Sequence, residues 1–188
     1  MKAVVVSRAG GPEVLEVLER ELPSIKPGWS LVKVMGFGIN HSEIFTRQGL
    51  SPSVVFPRVL GIEMVGVIEE TSNPSRLSVG QKVVSIMGEM GRAYDGGYAE
   101  YALLPNDNLY TIETDLDWRD LASVPETYYT AYGSMKNLKI EAKDRILVRA
   151  GSSGVGQAFA KLVRARFPEV SLIASVRRLD KEEKILAA

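Results

Sequence analysis

The stretch that decides the fold is residues 144–165, DRILVRAGSSGVGQAFAKLVRA. It begins with a short apolar run at 146–148, which is typical of a strand buried in a parallel sheet. A glycine-rich turn at 151–156 follows, and apolar residues then recur at the spacing of a helix. A strand, a tight turn and a helix in this order direct free N–H groups and the positive end of the helix dipole at the turn. This arrangement binds the pyrophosphate of a dinucleotide.

The turn matches the dinucleotide-binding pattern G-x-G-x-x-G only in part. Gly151 and Gly156 occupy the first and third glycine places, whereas Ser153 occupies the second. The second glycine normally lets the backbone approach the phosphates, and a serine can instead donate its hydroxyl. We predict that the cofactor contacts the whole turn: Gly151, Ser152, Ser153, Gly154, Val155 and Gly156. A helix-starting loop without a ligand is the alternative.

A second apolar strand is predicted at residues 171–176, and Arg177 and Arg178 follow it directly. An NAD site uses an acidic residue at this place for the ribose hydroxyls, whereas arginine suits a 2′-phosphate. No Asp or Glu occurs from Ser171 to Leu179. The sequence therefore favours NADP(H), bound by Arg177 and Arg178. A solvated surface turn is the alternative interpretation of these arginines.

Composition narrows the class of protein. The 188 residues contain 23 Lys and Arg and 23 Asp and Glu, so nothing indicates nucleic acid or an anionic membrane surface as a partner. The absence of cysteine excludes a disulfide framework and a thiolate nucleophile. The N-terminal apolar run is too short for a signal peptide, and no run is long enough to span a membrane. We expect a cytoplasmic enzyme or binding protein.

The first part of the chain predicts short strands separated by Gly and Pro turns, as in a small bent barrel or a sandwich. Strands are predicted over 2–7, 14–18, 30–38, 59–70, 82–87 and 98–104, with a helix over 41–48. The pattern over 59–70 is interrupted by Gly61 and Gly66. The pattern changes near Asp117. Helices are predicted over 118–121, capped by Asp115 or Asp117, and over 125–137. We place the domain boundary at residue 117, which gives domains 1–117 and 118–188.

These motifs together resemble the medium-chain dehydrogenase/reductase superfamily, and within it the zinc-free quinone oxidoreductase (zeta-crystallin-like) branch. The segments that carry the resemblance are MKAV at 1–4, GGPEVL at 10–15, GIN at 38–40, RQG at 47–49, PRVLGIEMVGVI at 57–68, GQKV at 80–83, GGYAEY at 96–101 and the glycine turn. The resemblance implies an α/β plus β fold. A GroES-like β-barrel catalytic domain would be followed by the first part of a Rossmann doubly wound domain, with cofactor and substrate in the cleft between them.

Two departures from the family pattern matter. Zinc-dependent relatives use a Cys, a Gly-His-Glu segment and a further Cys or Asp, whereas this chain has GIE at 61–63 and a single histidine, His41. Catalytic zinc needs about three protein ligands, some of them nitrogen or sulfur, so we predict no zinc. The second departure is length, since only one βαβ unit of a six-stranded domain is present. Residues 179–188 would begin one more helix. We expect a truncated piece of a longer reductase, with a natural short product as the alternative. The exposed sheet edge would be covered by a partner chain or a swapped copy, or would be poorly ordered, and we expect a homodimer.

The resemblance implies hydride transfer from NADPH to a quinone or an α,β-unsaturated carbonyl. Without a Lewis acid, the developing enolate or quinol oxygen must be held by hydrogen-bond donors or reached by water. Conjugated acceptors tolerate this because they spread the charge. The alternatives are an enoyl-thioester reductase or another medium-chain reductase and, in a different class, a nucleotide-binding or structural protein without turnover.

Asn40 is the first active-site candidate, because the resemblance places an asparagine here that faces nicotinamide and substrate. Asn40 and Glu43 also have the spacing of a helix capping box, and the two roles are compatible. Phe45 stands where several relatives carry an active-site tyrosine, so a hydroxyl donor is missing. Glu63, the remnant of the zinc motif, is expected to be a paired structural carboxylate.

Two further candidates lie in the helix before the nucleotide strand. Thr130 matches a threonine that in relatives lies against the nicotinamide ribose and the phosphates. Tyr128 is a candidate proton donor, since a tyrosine ordinarily has a pKa of about 10. Packing of the cleft is the alternative role for Tyr128.

Overall fold

The computed structural model describes residues 1–178, so the helix predicted to begin in residues 179–188 lies outside the described residues. The chain divides into two compact units, Met1–Glu126 and Thr127–Ala188. Within residues 1–178, no helix has the length and apolar character needed to cross a membrane.

The first unit consists of two antiparallel sheets and two short helices. Its elements are, in chain order, β1 (Lys2–Val6), β2 (Leu15–Glu19), β3 (Trp29–Gly36), α1 (His41–Arg47), β4 (Arg58–Val59), β5 (Glu63–Thr71), β6 (Lys82–Ile86), β7 (Tyr101–Pro105), β8 (Tyr110–Thr111) and α2 (Trp118–Ala122). The smaller sheet has the order β2–β1–β4 and the larger has the order β7–β3–β5–β6–β8. The prediction of a domain of short strands is confirmed.

Apolar side chains of these strands form the core of the first unit. One cluster includes Val32 of β3 and Met64 and Ile68 of β5. A second cluster includes Val5 and Val6 of β1. Fully burying a side chain of this size contributes about 1.5–3 kcal/mol. The core therefore fixes β3 and β5, and the loop after β3 and the first residue of β5 carry the candidate site.

The strand predicted over residues 59–70 is interrupted in the structure. β4 ends at Val59 and β5 begins at Glu63. Between them Gly61 has a φ of +110°, and a Cβ on this residue would lie 2.6 Å from the backbone nitrogen of Gly97. The predicted interruption at Gly61 is confirmed, because the chain turns there into a conformation and a space that suit only glycine. The interruption predicted at Gly66 is wrong, because β5 continues through Gly66.

The observed boundary between the units follows Glu126, whereas the sequence places it at residue 117. Helix α2 lies between the predicted boundary and the observed one. Asp117 is its N-cap, and the side chain accepts a hydrogen bond from the backbone N–H of Asp120 at 2.8 Å. Leu121 and Ala122 of α2 form a cluster with Val65 of β5. The apolar face of α2 is therefore buried on the larger sheet of the first unit.

The second unit contains the predicted βαβ arrangement. Most of α3 (Pro125–Leu138) belongs to it, followed by β9 (Arg145–Val148), α4 (Gly154–Arg166) and β10 (Ser171–Ala174). β9 and β10 pair in parallel. Phe159 and Val163 of α4 pack with Ile146 and Val148 of β9. The βαβ prediction is therefore confirmed.

Among residues 127–178, the two parallel strands are covered on one face only. Leu147 of β9 is 62% exposed and Ile173 of β10 is 48% exposed. The prediction of a fully buried strand at 146–148 is wrong in this respect. Within residues 127–178, the helices cover the face that carries Ile146 and Val148, and the alternate residues of each strand point away from it.

Candidate functional site

Asn40 occupies the start of α1, where the chain leaves β3. It is half-buried and is the N-cap of the helix. The Glu43 carboxylate accepts the backbone N–H of Asn40 at 2.6 Å, as in the predicted capping box. The sequence pattern therefore starts α1 at this place and holds the backbone of Asn40.

The side chain of Asn40 makes a second contact, with a carboxylate from β5. Its Nδ2 donates to Glu63 Oε1 at 2.8 Å, and Glu63 Oε2 accepts the backbone N–H of Glu126 at 2.8 Å. Glu63 is only 2% exposed. Burial raises the pKa of Glu63, and the negative charges of Glu126 and Glu43 add to this rise, whereas the two hydrogen bonds oppose it. Glu63 is thus paired with hydrogen-bond donors rather than with a cation.

Glu43 is the second buried carboxylate of the site, with 5% exposure. Besides the Asn40 N–H, it accepts the backbone N–H of Ile62 at 2.8 Å and the hydroxyl of Tyr98. Burial raises the pKa of Glu43 despite these bonds. Burial and the bond to Glu43 also raise the pKa of the Tyr98 phenol far above its ordinary range. Tyr98 is therefore a neutral hydrogen-bond donor at every physiological pH.

A small cavity of about 160 Å³ borders these residues within the first unit. Aliphatic side chains and four polar residues line it: Leu15, Ile39, Ile44, Leu60, Asn40, Glu43, Arg47 and Tyr98. The Nε atom of Arg47 is buried and has no hydrogen-bond partner among residues 1–178. A cavity of this composition suits a small, mainly apolar group with one or two polar atoms.

Sequence reasoning proposed Asn40 as a site residue but missed Tyr98, whose hydroxyl donates to the Glu43 carboxylate that binds Asn40. Tyr98 lies in the segment GGYAEY that carried part of the resemblance, yet nothing in that segment indicates Glu43, 55 positions earlier. Phe45, at the place of an expected tyrosine, is partly exposed and makes an edge-to-face contact with the ring of His41 at 5.2 Å.

The second candidate site is the glycine turn of the second unit. Ser153 is the N-cap of α4, and its Oγ accepts the backbone N–H of Gly156 at 3.1 Å. A Cβ on Gly156 would lie 2.7 Å from the carbonyl oxygen of Ala150, so the turn admits only glycine there. Gly156 therefore performs the close-packing role that the sequence assigns to the third glycine.

The donors of this turn fit a pyrophosphate. In the described part of the chain, the backbone N–H groups of Ser152, Gly154 and Val155 have no hydrogen-bond acceptor. The N–H of Gly151 donates to the carbonyl of Ser175 at 3.0 Å, which joins the turn to the chain just after β10. N–H groups at the start of a helix attract anions.

The turn and the end of β10 enclose a cavity of about 230 Å³. It is lined by Ala150, Ser152, Ser153, Val176, Arg177 and Arg178. The structure therefore brings both predicted arginines to the predicted turn. Both arginines are otherwise exposed.

The candidates on α3 lie in different surroundings. Tyr128 is half-buried and packs against the apolar cluster of the second unit. Thr130 is exposed. The contact of Tyr128 agrees with the packing alternative, and the catalytic role of Tyr128 and the cofactor role of Thr130 stay predictions.

The donor set for a metal ion is poor. The sequence has no cysteine and one histidine. Among residues 1–178, no three His, Asp or Glu side chains are grouped as metal ligands. These residues do not fit a catalytic zinc ion, and zinc-independence stays a prediction.

Comparison with known proteins identifies the superfamily. Residues 26–114 match the alcohol dehydrogenase GroES-like domain. A quinone oxidoreductase of Pongo abelii is 34% identical over 169 residues, covering 88% of this chain and 50% of the relative. The resemblance to the medium-chain dehydrogenase/reductase superfamily is confirmed, since the chain is similar to its members in sequence and in fold. The predicted fold class, a GroES-like domain followed by part of a Rossmann domain, is confirmed.

Solved members of this superfamily agree with the fold. A mycobacterial protein in complex with NADPH is 28% identical to this chain, with a TM-score of 0.83. The matched region covers 100% of this chain and 56% of the mycobacterial protein. An NAD-dependent alcohol dehydrogenase is also 28% identical to this chain, with a TM-score of 0.85. The matched region covers 100% of this chain and 61% of the alcohol dehydrogenase. The chain spans about half the length of the curated relatives it matches.

Proposed function

We propose that this chain belongs to an NADP(H)-dependent, zinc-independent oxidoreductase that transfers hydride to a quinone or an α,β-unsaturated carbonyl. The observation that carries the proposal is the phosphate-binding geometry at the start of α4. Three N–H groups without an acceptor in residues 1–178 lie at this turn, and Ser152 lines a cavity there together with both arginines. The name of the quinone oxidoreductase relatives supports the substrate class.

The choice of NADP(H) rests on Arg177 and Arg178. One similar structure contains NADPH and another is named as NAD-dependent, so the superfamily alone does not decide the cofactor. Guanidinium groups bind phosphate with two parallel hydrogen bonds, which favours a 2′-phosphate over two ribose hydroxyls. The stretch from Ser171 to Arg178 contains no acid that would suit an NAD ribose.

The proposed mechanism divides the work between the two sites. The dinucleotide supplies the hydride when bound. The N–H groups of Ser152, Gly154 and Val155 hold the pyrophosphate, and Gly151, Ser153, Gly156 and Thr130 shape the rest of the cofactor site. Asn40 orients nicotinamide and substrate, and Tyr128 is the candidate proton donor. Neutral donors or water must hold the developing oxygen charge, because the residues present do not fit zinc.

Nicotinamide fluorescence during titration with NADPH and NADH tests the cofactor. We expect NADPH to bind at least about tenfold more tightly, which corresponds to about 1.4 kcal/mol. Replacing Arg177 and Arg178 with Ala should remove this preference and leave NADH binding nearly unchanged. Arg166→Ala is the matched control, because it removes an exposed arginine at the far end of α4, about 18 Å away.

Each other outcome has a defined meaning. A tenfold preference for NADH, or equal losses for both cofactors in the double variant, would contradict the 2′-phosphate site. No binding of either cofactor would favour a structural protein. Binding without oxidation by any quinone, enone or enoyl thioester would favour a nucleotide sensor. We also propose that the protein is a homodimer and lies in the cytoplasm. Sedimentation of the purified chain tests whether it is a dimer.

A further inference from the structure

Two charged side chains are buried in the described part of the chain, Glu43 and Glu63, and both bind Asn40. Neither forms a salt bridge within residues 1–178. Burying a carboxylate without a cation is unfavourable unless hydrogen-bond donors compensate. Such groups concentrate at functional sites. The convergence of both carboxylates on one asparagine therefore requires an explanation beyond packing.

We propose that Glu63 is a positioning residue, whose carboxylate fixes the orientation of the Asn40 carboxamide. An ionised carboxylate only accepts hydrogen bonds, whereas the two ends of a carboxamide differ, one donating and one accepting. The end that faces Glu63 must therefore be Nδ2, as the 2.8 Å contact shows. The orientation of the Asn40 carboxamide is inferred from this contact and not from the proposed function. The effect of that orientation on turnover does rest on the proposed function of Asn40.

The surroundings hold the Glu63 carboxylate firmly enough for this task. Its Oε2 is bonded to the backbone N–H of Glu126 at 2.8 Å. Its Oε1 lies against Gly38, where a Cβ would be only 2.0 Å away. Glycine at this position is what makes room for the carboxylate beside Asn40. Side chains that orient a reacting group must themselves be locked in place.

The backbone of Asn40 is held independently. Glu43 accepts its N–H at 2.6 Å and is itself anchored by Ile62 and Tyr98. Asn40 is thus fixed at its backbone by one carboxylate and at its side chain by the other. Capping α1 requires the Glu43 contact but not the Glu63 contact.

Protonation of Glu63 would release the constraint, because a carboxylic acid can donate as well as accept. The groups that face Glu63 are Glu43 from α1, Glu126 at the end of the first unit and the neutral Tyr98. Burial together with these two negative charges raises the pKa of Glu63. We therefore expect the carboxamide to be held at neutral pH and to lose its fixed orientation on acidification.

Nuclear magnetic resonance of the ¹⁵N-labelled full chain tests this directly. The side-chain NH₂ signals of Asn40 are assigned by their loss in Asn40→Gln. In the unmodified chain we expect them to shift with a pH midpoint above the ordinary glutamate value of about 4.3. Glu63→Gln should abolish that titration. Glu69→Gln is the matched control, since Glu69 is an exposed residue of the same strand.

Asn40 signals that are independent of pH in the unmodified chain would overturn the proposal, and this measurement needs no Glu63 variant to fold. An unchanged titration in a folded Glu63→Gln variant would overturn it as well. NADPH binding at the α4 turn is scored separately, so a failure of the proposed function is distinguished from a failure of this inference. If the chain turns over a quinone or enone, the pH profile of kcat/KM should carry the Glu63 titration, and Glu63→Gln should remove it.

Discussion

The Asn40 site of the first unit and the α4 turn of the second unit are built in opposite ways. Around Asn40, two buried carboxylates accept hydrogen bonds from residues as far apart in the chain as Asn40 and Glu126. At the α4 turn, the N–H groups of Ser152, Gly154 and Val155 have no acceptor within residues 1–178, and two exposed arginines add positive charge. The first site depends on long-range contacts and the second mainly on local sequence.

Because of this difference, the two sites should be sensitive to different kinds of substitution. The turn depends on backbone geometry, so a single Cβ in the wrong place can destroy it. The Asn40 site depends on donors that compensate buried negative charge. The loss of one donor should therefore lower the free energy of unfolding, by an amount that depends on pH. The following variants test that contrast, beginning with the largest expected effect.

Gly156→Ala should disrupt the α4 turn. The new Cβ would lie 2.7 Å from the carbonyl oxygen of Ala150, and both groups belong to the backbone, so neither yields easily. We expect a loss of about 1–3 kcal/mol of stability in the second unit and loss of NADPH binding. Gly154→Ala is the control, because its nearest neighbour would be 3.7 Å away. Calorimetry and NADPH titration of both variants measure the effect. Equal behaviour of the two would show that the turn tolerates side chains.

Tyr98→Phe should destabilise the first unit. It removes the hydroxyl that donates to the buried Glu43 carboxylate. We expect a loss of about 1–3 kcal/mol at pH 7, and a smaller loss at acidic pH, where Glu43 needs fewer donors. Tyr110→Phe, at an exposed tyrosine, should cost little. Urea unfolding at two pH values provides the measurement. A loss of the same size at both would argue that packing, not charge compensation, explains it.

The stability of the first unit should decrease as pH rises above the acidic range. The folded-state pKa of Glu63 lies above its unfolded value, so the folded chain binds more protons between these two pKa values. The stabilising contribution is complete below the unfolded pKa and is lost as pH passes through the folded one. The difference in unfolding free energy between Glu63→Gln and the unmodified chain, measured from pH 4 to 8, should change in that window. A constant difference would contradict the shift.

Ser153→Ala should have the smallest effect. It removes the N-cap of α4, whose Oγ accepts the Gly156 N–H, at a cost of about 1 kcal/mol. Ser152→Ala leaves that bond intact and serves as the control. Thermal unfolding of both variants is the measurement. If Ser153→Ala also weakens NADPH binding more than Ser152→Ala does, the serine in the second glycine place would be shown to assist the phosphate site.

Much of the α4 turn could be predicted from sequence, because its determinants are contiguous. An apolar strand, a glycine turn and a helical repeat stand within 22 residues, and Arg177 and Arg178 follow the next strand directly. Parallel strands with a helix between them bring the ends of both strands to one edge. That rule alone places the arginines beside the turn, as the structure does.

The Asn40 site could be predicted only in its local half. The spacing of Asn40 and Glu43 indicated the capping box, and the resemblance supplied Asn40 as a candidate. Glu63 was expected to be a paired structural carboxylate, without an indication that its partner is Asn40. That contact requires β3 and β5 to lie side by side and Gly38 to leave room for the carboxylate.

The local sequence was enough to predict what repeats or follows directly along the chain: the short strands, the βαβ unit, the helix caps and the N–H donors of the proposed phosphate site. The tertiary structure was needed to show that β5 continues through Gly66, that α2 is buried on the larger sheet and that Glu43, Glu63 and Tyr98 meet around Asn40. The physical reason is that backbone hydrogen bonding and helix capping depend on near neighbours. The compensation of buried charge depends instead on which distant segments the core brings together.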